Sequence, residues 1–95
     1  MDINRYTVAI SKKPGLEKEI SDAEIRKIAV TVRESLENSD FNLTGSYDKR
    51  ESVTFYVERF GDNHPDIADL RKLVKTGVRP KKKMVTLEIT PFQPT

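Results

Sequence analysis

The strongest constraint on the fold is a nine-residue run, Ser52–Phe60, in which apolar and polar side chains alternate. The apolar members are Val53, Phe55 and Val57. A period of two is that of a β-strand, whose successive side chains point to opposite faces. The run therefore predicts a strand that buries one face in a core and leaves the other face, with Thr54 and Tyr56, uncovered.

The chain has 95 residues, which fits a single domain spanning residues 1–95 with a short extended tail from about residue 91. It has no cysteine, which excludes disulfide frameworks, thiolate metal sites and a thiol nucleophile. No spacing of His, Asp and Glu suggests a metal site, so we expect neither metal nor cofactor. No apolar stretch approaches the length of a membrane span, and we expect a cytoplasmic protein.

Residues 21–24 have the sequence pattern of a helix N-terminus. Ser21 and Glu24 have the spacing of a capping box, and Ile20 can pack onto Ile25 across the cap. An apolar stripe then continues to about residue 37, formed by Ile25, Ile28, Ala29, Val32 and Leu36. The pattern predicts an amphipathic helix.

The other segments have weaker signals. A first strand is expected at residues 6–10 and a last strand at residues 85–90. In the second strand, residues 41–47, strict alternation places Phe41, Leu43, Gly45 and Tyr47 on the core side. A second helix should begin after the Asn-His-Pro sequence of residues 63–65 and stop at Gly77.

The order strand, helix, strand, strand, helix, strand resembles the ferredoxin-like superfold, a βαββαβ sandwich of the α+β class. This resemblance implies a four-stranded antiparallel sheet in the order 4-1-3-2, with two helices on one face. Many functions share the architecture, so the resemblance does not indicate an activity.

Charge is distributed unevenly. Residues 71–95 hold 7 Lys and Arg against 1 acid, whereas residues 1–70 hold 10 against 14. In the expected topology, three loops meet at one end of the sheet, and they carry Lys12, Lys13, Lys49, Arg50, Arg79, Lys81, Lys82 and Lys83. The first two lysines also precede a helix N-terminus, whose free N–H groups favour anions. The opposite end collects acids, including Glu37, Asp40, Asp62 and Asp66.

Such a cluster can contact several phosphates. Alternatively, these side chains are simply solvated, and the lysines of residues 81–83 protect an edge strand from aggregation.

The uncovered sheet face is a second candidate contact surface, represented by Thr54 and Tyr56. It is expected to display Thr7, Ala9, Asn42, Thr44, Ser46, Thr54, Tyr56, Thr86 and Glu88. The RRM domain has this topology and stacks bases on several aromatics, but here only Tyr56 supplies a ring. The glycines of the RRM motif are absent from residues 50–60. The face could instead contact another protein or a second copy of the chain.

Catalysis has little support. His64 is the only histidine, and its acidic neighbours Asp62 and Asp66 resemble helix-capping residues. The acylphosphatases share the topology, but their loop after the first strand carries an Arg that is missing from residues 11–15. A phosphate hydrolase using Lys12 and Lys13 would lack a base and a nucleophile.

The sequence therefore predicts a small non-enzymatic binding module whose basic end contacts an anionic partner, most simply a nucleic acid backbone. The alternative is a small protein-binding regulator or inhibitor, of the kind encoded by phages and plasmids. It would use the basic end against an acidic protein surface, or the open sheet face. A homodimer formed through that face or through an edge strand is also compatible with the pattern.

Overall fold

The computed structural model describes residues 3–60 and 66–91. Its strands and helices are, in chain order, β1 (Ile3–Lys12), α1 (Asp22–Glu37), β2 (Asn42–Asp48), β3 (Ser52–Phe60), α2 (Asp66–Val78) and β4 (Val85–Pro91). A short 3₁₀ turn, Arg79–Lys81, connects α2 to β4. The expected succession of strands and helices is confirmed. The predicted cap at residues 61–65 and the tail beyond residue 91 lie outside the described residues.

All four strands form one antiparallel sheet in the order β2-β3-β1-β4. This is the predicted order 4-1-3-2 read from the other edge. The strand predicted from the alternation, β3, is central and pairs with both β1 and β2. The two edges are formed by β2 and β4. The coarse prediction of a small α+β fold with a four-stranded antiparallel sheet is thus confirmed.

One face of the sheet is covered by both helices, and the core lies between these two layers. The buried sheet residues are Tyr6, Val8, Ile10, Val53, Phe55, Val57 and Val85. All five predicted stripe residues of α1 are buried against them. From α2, Leu70 and Val74 are buried, while Ile67 and Leu73 pack at the margin. Fully burying a side chain of this size stabilises the fold by roughly 1.5–3 kcal/mol.

The start of α1 matches its prediction in detail. Ser21 Oγ accepts from the Glu24 backbone N–H at 3.1 Å, and the Ser21 N–H donates to Glu24 Oε1 at 3.2 Å. Ile20 and Ile25 are both buried on either side of the cap. The reciprocal bonds satisfy two donors that a helix start otherwise leaves unpaired.

The predicted stop at Gly77 is wrong, because α2 continues to Val78. Gly77 lies inside the helix where α2 crosses α1. A Cβ atom built there would lie 2.7 Å from Val32 Cγ2 and 3.4 Å from the Val32 backbone N. The glycine is therefore required by the close approach of two helices rather than by a left-handed C-cap.

The pairing of β2 with β3 is interrupted by a bulge. Leu43 pairs with Val57, whereas Gly45 pairs with Tyr56, so two residues of β2 advance against one of β3. Thr44 is the additional residue, and its Oγ1 donates to the carbonyl of Tyr56 at 3.1 Å. An extra residue shifts the alternation of every side chain that follows it.

The strict alternation predicted for β2 is therefore wrong beyond Leu43. Gly45 and Tyr47 belong to the open face, where Tyr47 is 56% exposed. Ser46, expected on the open face, instead turns toward α1 and accepts from Arg33 Nη2 at 3.2 Å. The bulge therefore places the aromatic ring of Tyr47 on the surface instead of in the core.

Within the described residues, neither helix has the length and apolar character needed to cross a bilayer.

We expect Gly77→Ala to destabilise the protein by about 1 kcal/mol. The new methyl overlaps Val32, and overpacking of this kind costs about 1–3 kcal/mol, against a gain in helix propensity of about 1 kcal/mol. Urea unfolding measures the difference. Gly45→Ala is the control, because its Cβ would meet Tyr56 Cδ2 at an ordinary 3.8 Å. Unchanged or higher stability of Gly77→Ala would contradict the proposed steric role.

Candidate nucleic-acid interface

The three basic segments meet at one end of the sheet. The Lys12 N–H donates to the Glu51 carbonyl at 3.0 Å, and the Lys13 N–H donates to the Met84 carbonyl at 2.9 Å. The end of β1 is thereby held between the β2–β3 hairpin and the segment that precedes β4. We call this end the basic pole, and its cations are Lys12, Lys13, Lys49, Arg50, Arg79, Lys81, Lys82 and Lys83.

Three of these cations are engaged by two acids in the first turn of α1. Lys12 Nζ lies 2.6 Å from Asp22 Oδ1, and the lysine side chain is only 8% exposed. Arg50 Nε lies 3.7 Å from the other oxygen of Asp22, and Lys81 Nζ lies 3.0 Å from Glu24 Oε2. Lys12 thus joins β1 to α1, while Arg50 remains largely exposed. The sequence analysis did not anticipate these two carboxylates at the pole, although acids are common in a first helical turn.

Part of the expected anion site at the start of α1 is engaged by acceptors of the chain itself. The capping box uses the N–H groups of Ser21 and Glu24. In the preceding loop, the Gly15 N–H donates to Glu17 Oε1 at 2.6 Å. Gly15 has φ of 90°, a left-handed conformation that favours glycine. These N–H groups therefore have acceptors within the chain.

The remaining cations of the pole form no ion pair with any described residue. They are exposed, and they are Lys13, Lys49, Arg79, Lys82 and Lys83. Arg79 and Lys82 line, together with Lys75, the rim of a cavity of about 360 Å³ beside β4. Five cations that form no ion pair within residues 3–60 and 66–91 leave a positive potential that attracts anions.

The acids of the pole are held in their charged forms. The hydrogen bond from Lys12 lowers the pKa of Asp22 below its ordinary value of 3.8. The hydrogen bond from Lys81, together with that from the Ser21 backbone, lowers the pKa of Glu24 below its ordinary 4.5. Both carboxylates consequently remain negative at neutral pH and offset part of the positive charge.

The open sheet face adjoins the pole at the hairpin. Lys49 Nζ lies 5.7 Å from the centre of the Tyr47 ring, within cation–π range. The sequence analysis missed Tyr47 because it assumed an unbroken alternation. Gly45 was the available signal, since glycine inside a strand often marks a bulge.

The predicted contact residues Thr54 and Tyr56 do lie on the open face, in β3. Tyr56 pairs with Thr7 of β1, and Thr7 Oγ1 is hydrogen-bonded to Thr90 Oγ1 at 2.5 Å. Next to Tyr56, a shallow hollow of about 280 Å³ extends over Gly45 and reaches Arg5.

The other end of the molecule has a different composition. Arg59 contacts Asp69 at 3.0 Å and Asp40 at 3.8 Å, and its guanidinium lies 5.0 Å from the centre of the Phe41 ring. These residues line a cavity of about 540 Å³ with Lys72. The acidic end expected from the sequence is thus partly neutralised by Arg59, and Asp62 and the side chain of Asp66 lie outside the described part.

Among residues 3–60 and 66–91, no group of three or more His, Cys, Asp or Glu side chains is arranged to hold a metal ion. His64 lies outside the described residues.

No protein-family model matches the chain, and no curated protein matches it in sequence. Several solved structures share its backbone arrangement. A putative transposase from Deinococcus radiodurans superposes with a TM-score of 0.62 at 7% identity, over 100% of this chain and 82% of that chain. A REP-associated tyrosine transposase bound to a REP hairpin gives 0.57 at 6% identity, over 97% and 58%. The de novo designed protein Foldit4 gives 0.60 at 10% identity, over 99% and 100%. At these identities the likeness shows the fold alone.

We expect Asp22→Asn to lower stability at neutral pH and to flatten its decline in acid. Because the pKa of Asp22 is depressed on folding, the folded state binds fewer protons than the unfolded state. The stabilisation is therefore complete above the ordinary value of 3.8 and is lost as the pH falls through the lower folded value. Urea midpoints measured from about pH 7 to about pH 2 should show the gap between wild type and variant closing in acid.

Glu34→Gln, which removes an exposed carboxylate of the same helix, is the control and should leave the profile close to wild type. A constant gap between Asp22→Asn and wild type at every pH would argue against the Lys12–Asp22 pair as its source.

Proposed function

We propose that the chain is a ferredoxin-like, non-enzymatic module that binds nucleic acid through the phosphate backbone at its basic pole. The observation that carries the proposal is the convergence of three sequence-distant segments. They are held together by the hydrogen bonds that the backbone N–H groups of Lys12 and Lys13 donate. The fold assignment is supported by the strand order and by the placement of both helices on one face.

The charge distribution supports an extended polyanion as the partner. The five exposed cations that pair with no acid in the described part of the chain lie on three loops rather than in a single pocket. Lysines on separate flexible stems suit successive phosphates better than one small anion, which needs converging donors. Lys12, Arg50 and Lys81 contribute to the same field but share their charge with Asp22 and Glu24.

The similar structures are compatible with this function. One of them is a tyrosine transposase bound to a REP hairpin. The designed protein has the same backbone arrangement, so the fold by itself does not select the ligand. The side chains of the pole therefore carry the proposal. We place the module in the cytoplasm, which accords with the absence of cysteine.

A protein-binding regulator is the second candidate, and one observation favours it. Ile3 and Phe60 pair across β1 and β3 at the end of the open face away from the pole, and they are 42% and 50% exposed. Exposed apolar pairs are common in protein contacts. A second copy of the chain or another protein would cover them. A partner that survives nuclease in a pull-down would favour this function.

We expect binding to single-stranded DNA, RNA and duplex DNA to weaken steeply with salt, because each neutralised phosphate releases a counterion. The double variants Lys49→Gln/Arg50→Gln and Lys82→Gln/Lys83→Gln should each weaken binding about tenfold near physiological salt. Each should also reduce the slope of log K against log salt by about 1–1.5. Fluorescence anisotropy at several salt concentrations measures both quantities.

The charge-matched control is Arg71→Gln/Lys72→Gln on α2, since Lys72 lines the cavity at the opposite end. It should retain both the affinity and most of the slope. The proposal fails if no nucleic acid binds at low salt, or if the control weakens binding as much as the pole variants.

A further inference from the structure

We propose that the ligand of this module is single-stranded nucleic acid, with two bases stacked on Tyr47 and Tyr56 of the open sheet face. The inference rests on the proposed function and specifies its substrate class. It depends on an arrangement that only the bulge in β2 creates.

The register places both rings on one face as neighbours. Gly45 is opposite Tyr56, and Tyr47 is opposite Thr54, so the two tyrosines occupy diagonal positions on adjacent strands. Diagonal neighbours are about 7–8 Å apart, close enough for their rings to form one surface. Tyr47 is 56% exposed and Tyr56 is 36% exposed. Two adjacent rings on an open sheet suit two successive unpaired bases.

Gly45 leaves space for a base beside Tyr56. The partner of Tyr56 across the strands, Gly45, has no side chain, and a Cβ atom there would lie in ordinary van der Waals contact, 3.8 Å from Tyr56 Cδ2. The hollow of about 280 Å³ formed there is also lined by Arg5 and Glu58. These two side chains are paired, with Arg5 Nε 3.5 Å from Glu58 Oε2, and they offer polar groups to a base edge.

The rings are also continuous with the cations of the pole. Lys49 is two residues from Tyr47 in the hairpin, and its Nζ lies above the Tyr47 ring. Arg50 follows with its side chain 86% exposed. A single nucleic-acid strand whose phosphates contact the hairpin would therefore place its bases over the sheet. A positive groove next to stacking rings is the combination found in proteins that bind single strands.

A duplex cannot use this surface in the same way. Its base faces are stacked on one another inside the helix, so only its phosphates are accessible to the pole. The tyrosines thus contribute to single-strand binding and leave duplex binding unaffected.

The test compares a short oligothymidylate with a blunt DNA duplex of the same length, both titrated by fluorescence anisotropy. Tyr47→Leu and Tyr56→Leu should each weaken oligothymidylate binding about 5- to 100-fold, and duplex binding by less than about twofold. Gly45→Thr keeps both rings but fills the hollow, and should weaken oligothymidylate binding similarly. Tyr6→Phe, in which a core residue retains its ring, is the control and should bind as wild type.

A second readout reports stacking directly. The chain has three tyrosines and no tryptophan, so its intrinsic emission comes from tyrosine. Oligothymidylate should quench this emission in the wild type and in Tyr6→Phe, and much less in the double variant Tyr47→Leu/Tyr56→Leu. Far-UV circular dichroism and urea midpoints establish that each variant is folded.

The outcomes separate this inference from the proposed function. Single-strand binding that depends on Lys49 and Arg50 but not on the tyrosines or Gly45 overturns the inference and leaves backbone binding in place. The inference is also overturned if the tyrosine variants lose equal affinity for the duplex and for the single strand. Absence of binding to both probes at low salt overturns the proposed function itself.

Discussion

The burial of one face of a four-stranded sheet under two helices is the constraint on which the rest of the structure depends. Phe55 lies at its centre, in a strand that pairs on both sides. Because the helices supply the opposing apolar layer, the second face of the sheet needs no cover for the fold to be stable. The protein can therefore present an open surface with exposed tyrosines while its core remains closed.

Two glycines lie where one secondary-structure element packs against or pairs with another. Gly77 allows α2 to approach Val32 of α1, which sets the distance between the helices. Gly45 lies just after the bulge in β2 and has no side chain to place against the ring of Tyr56. Both residues lie inside regular elements, where glycine is otherwise unfavourable, but only at Gly77 would an added Cβ atom overlap a neighbouring atom.

Electrostatically, the molecule is less polarised than the distribution of charge along the chain indicates. Asp22 and Glu24 neutralise part of the basic pole, and Arg59 neutralises part of the acidic end. The ion pair between Lys12 and Asp22 connects β1 to α1. Lys12, which the sequence placed among the ligand-binding cations, therefore has a structural role. The exposed lysines on the hairpin and before β4 retain the capacity to attract an anion.

The sequence by itself determined the elements and their order, because local patterns encode them. Alternation in residues 52–60, the capping box at Ser21 and the stripe of α1 each depend on neighbours within a few residues. Tertiary structure alone decided the helical role of Gly77, the partners of Lys12, and the exposure of Tyr47. Each of these depends on an atom from a distant segment: Val32, Asp22, and the pairing of Gly45 with Tyr56. A one-residue bulge leaves almost no signal in the local sequence pattern, yet it decides which face of the sheet every later side chain of the strand occupies.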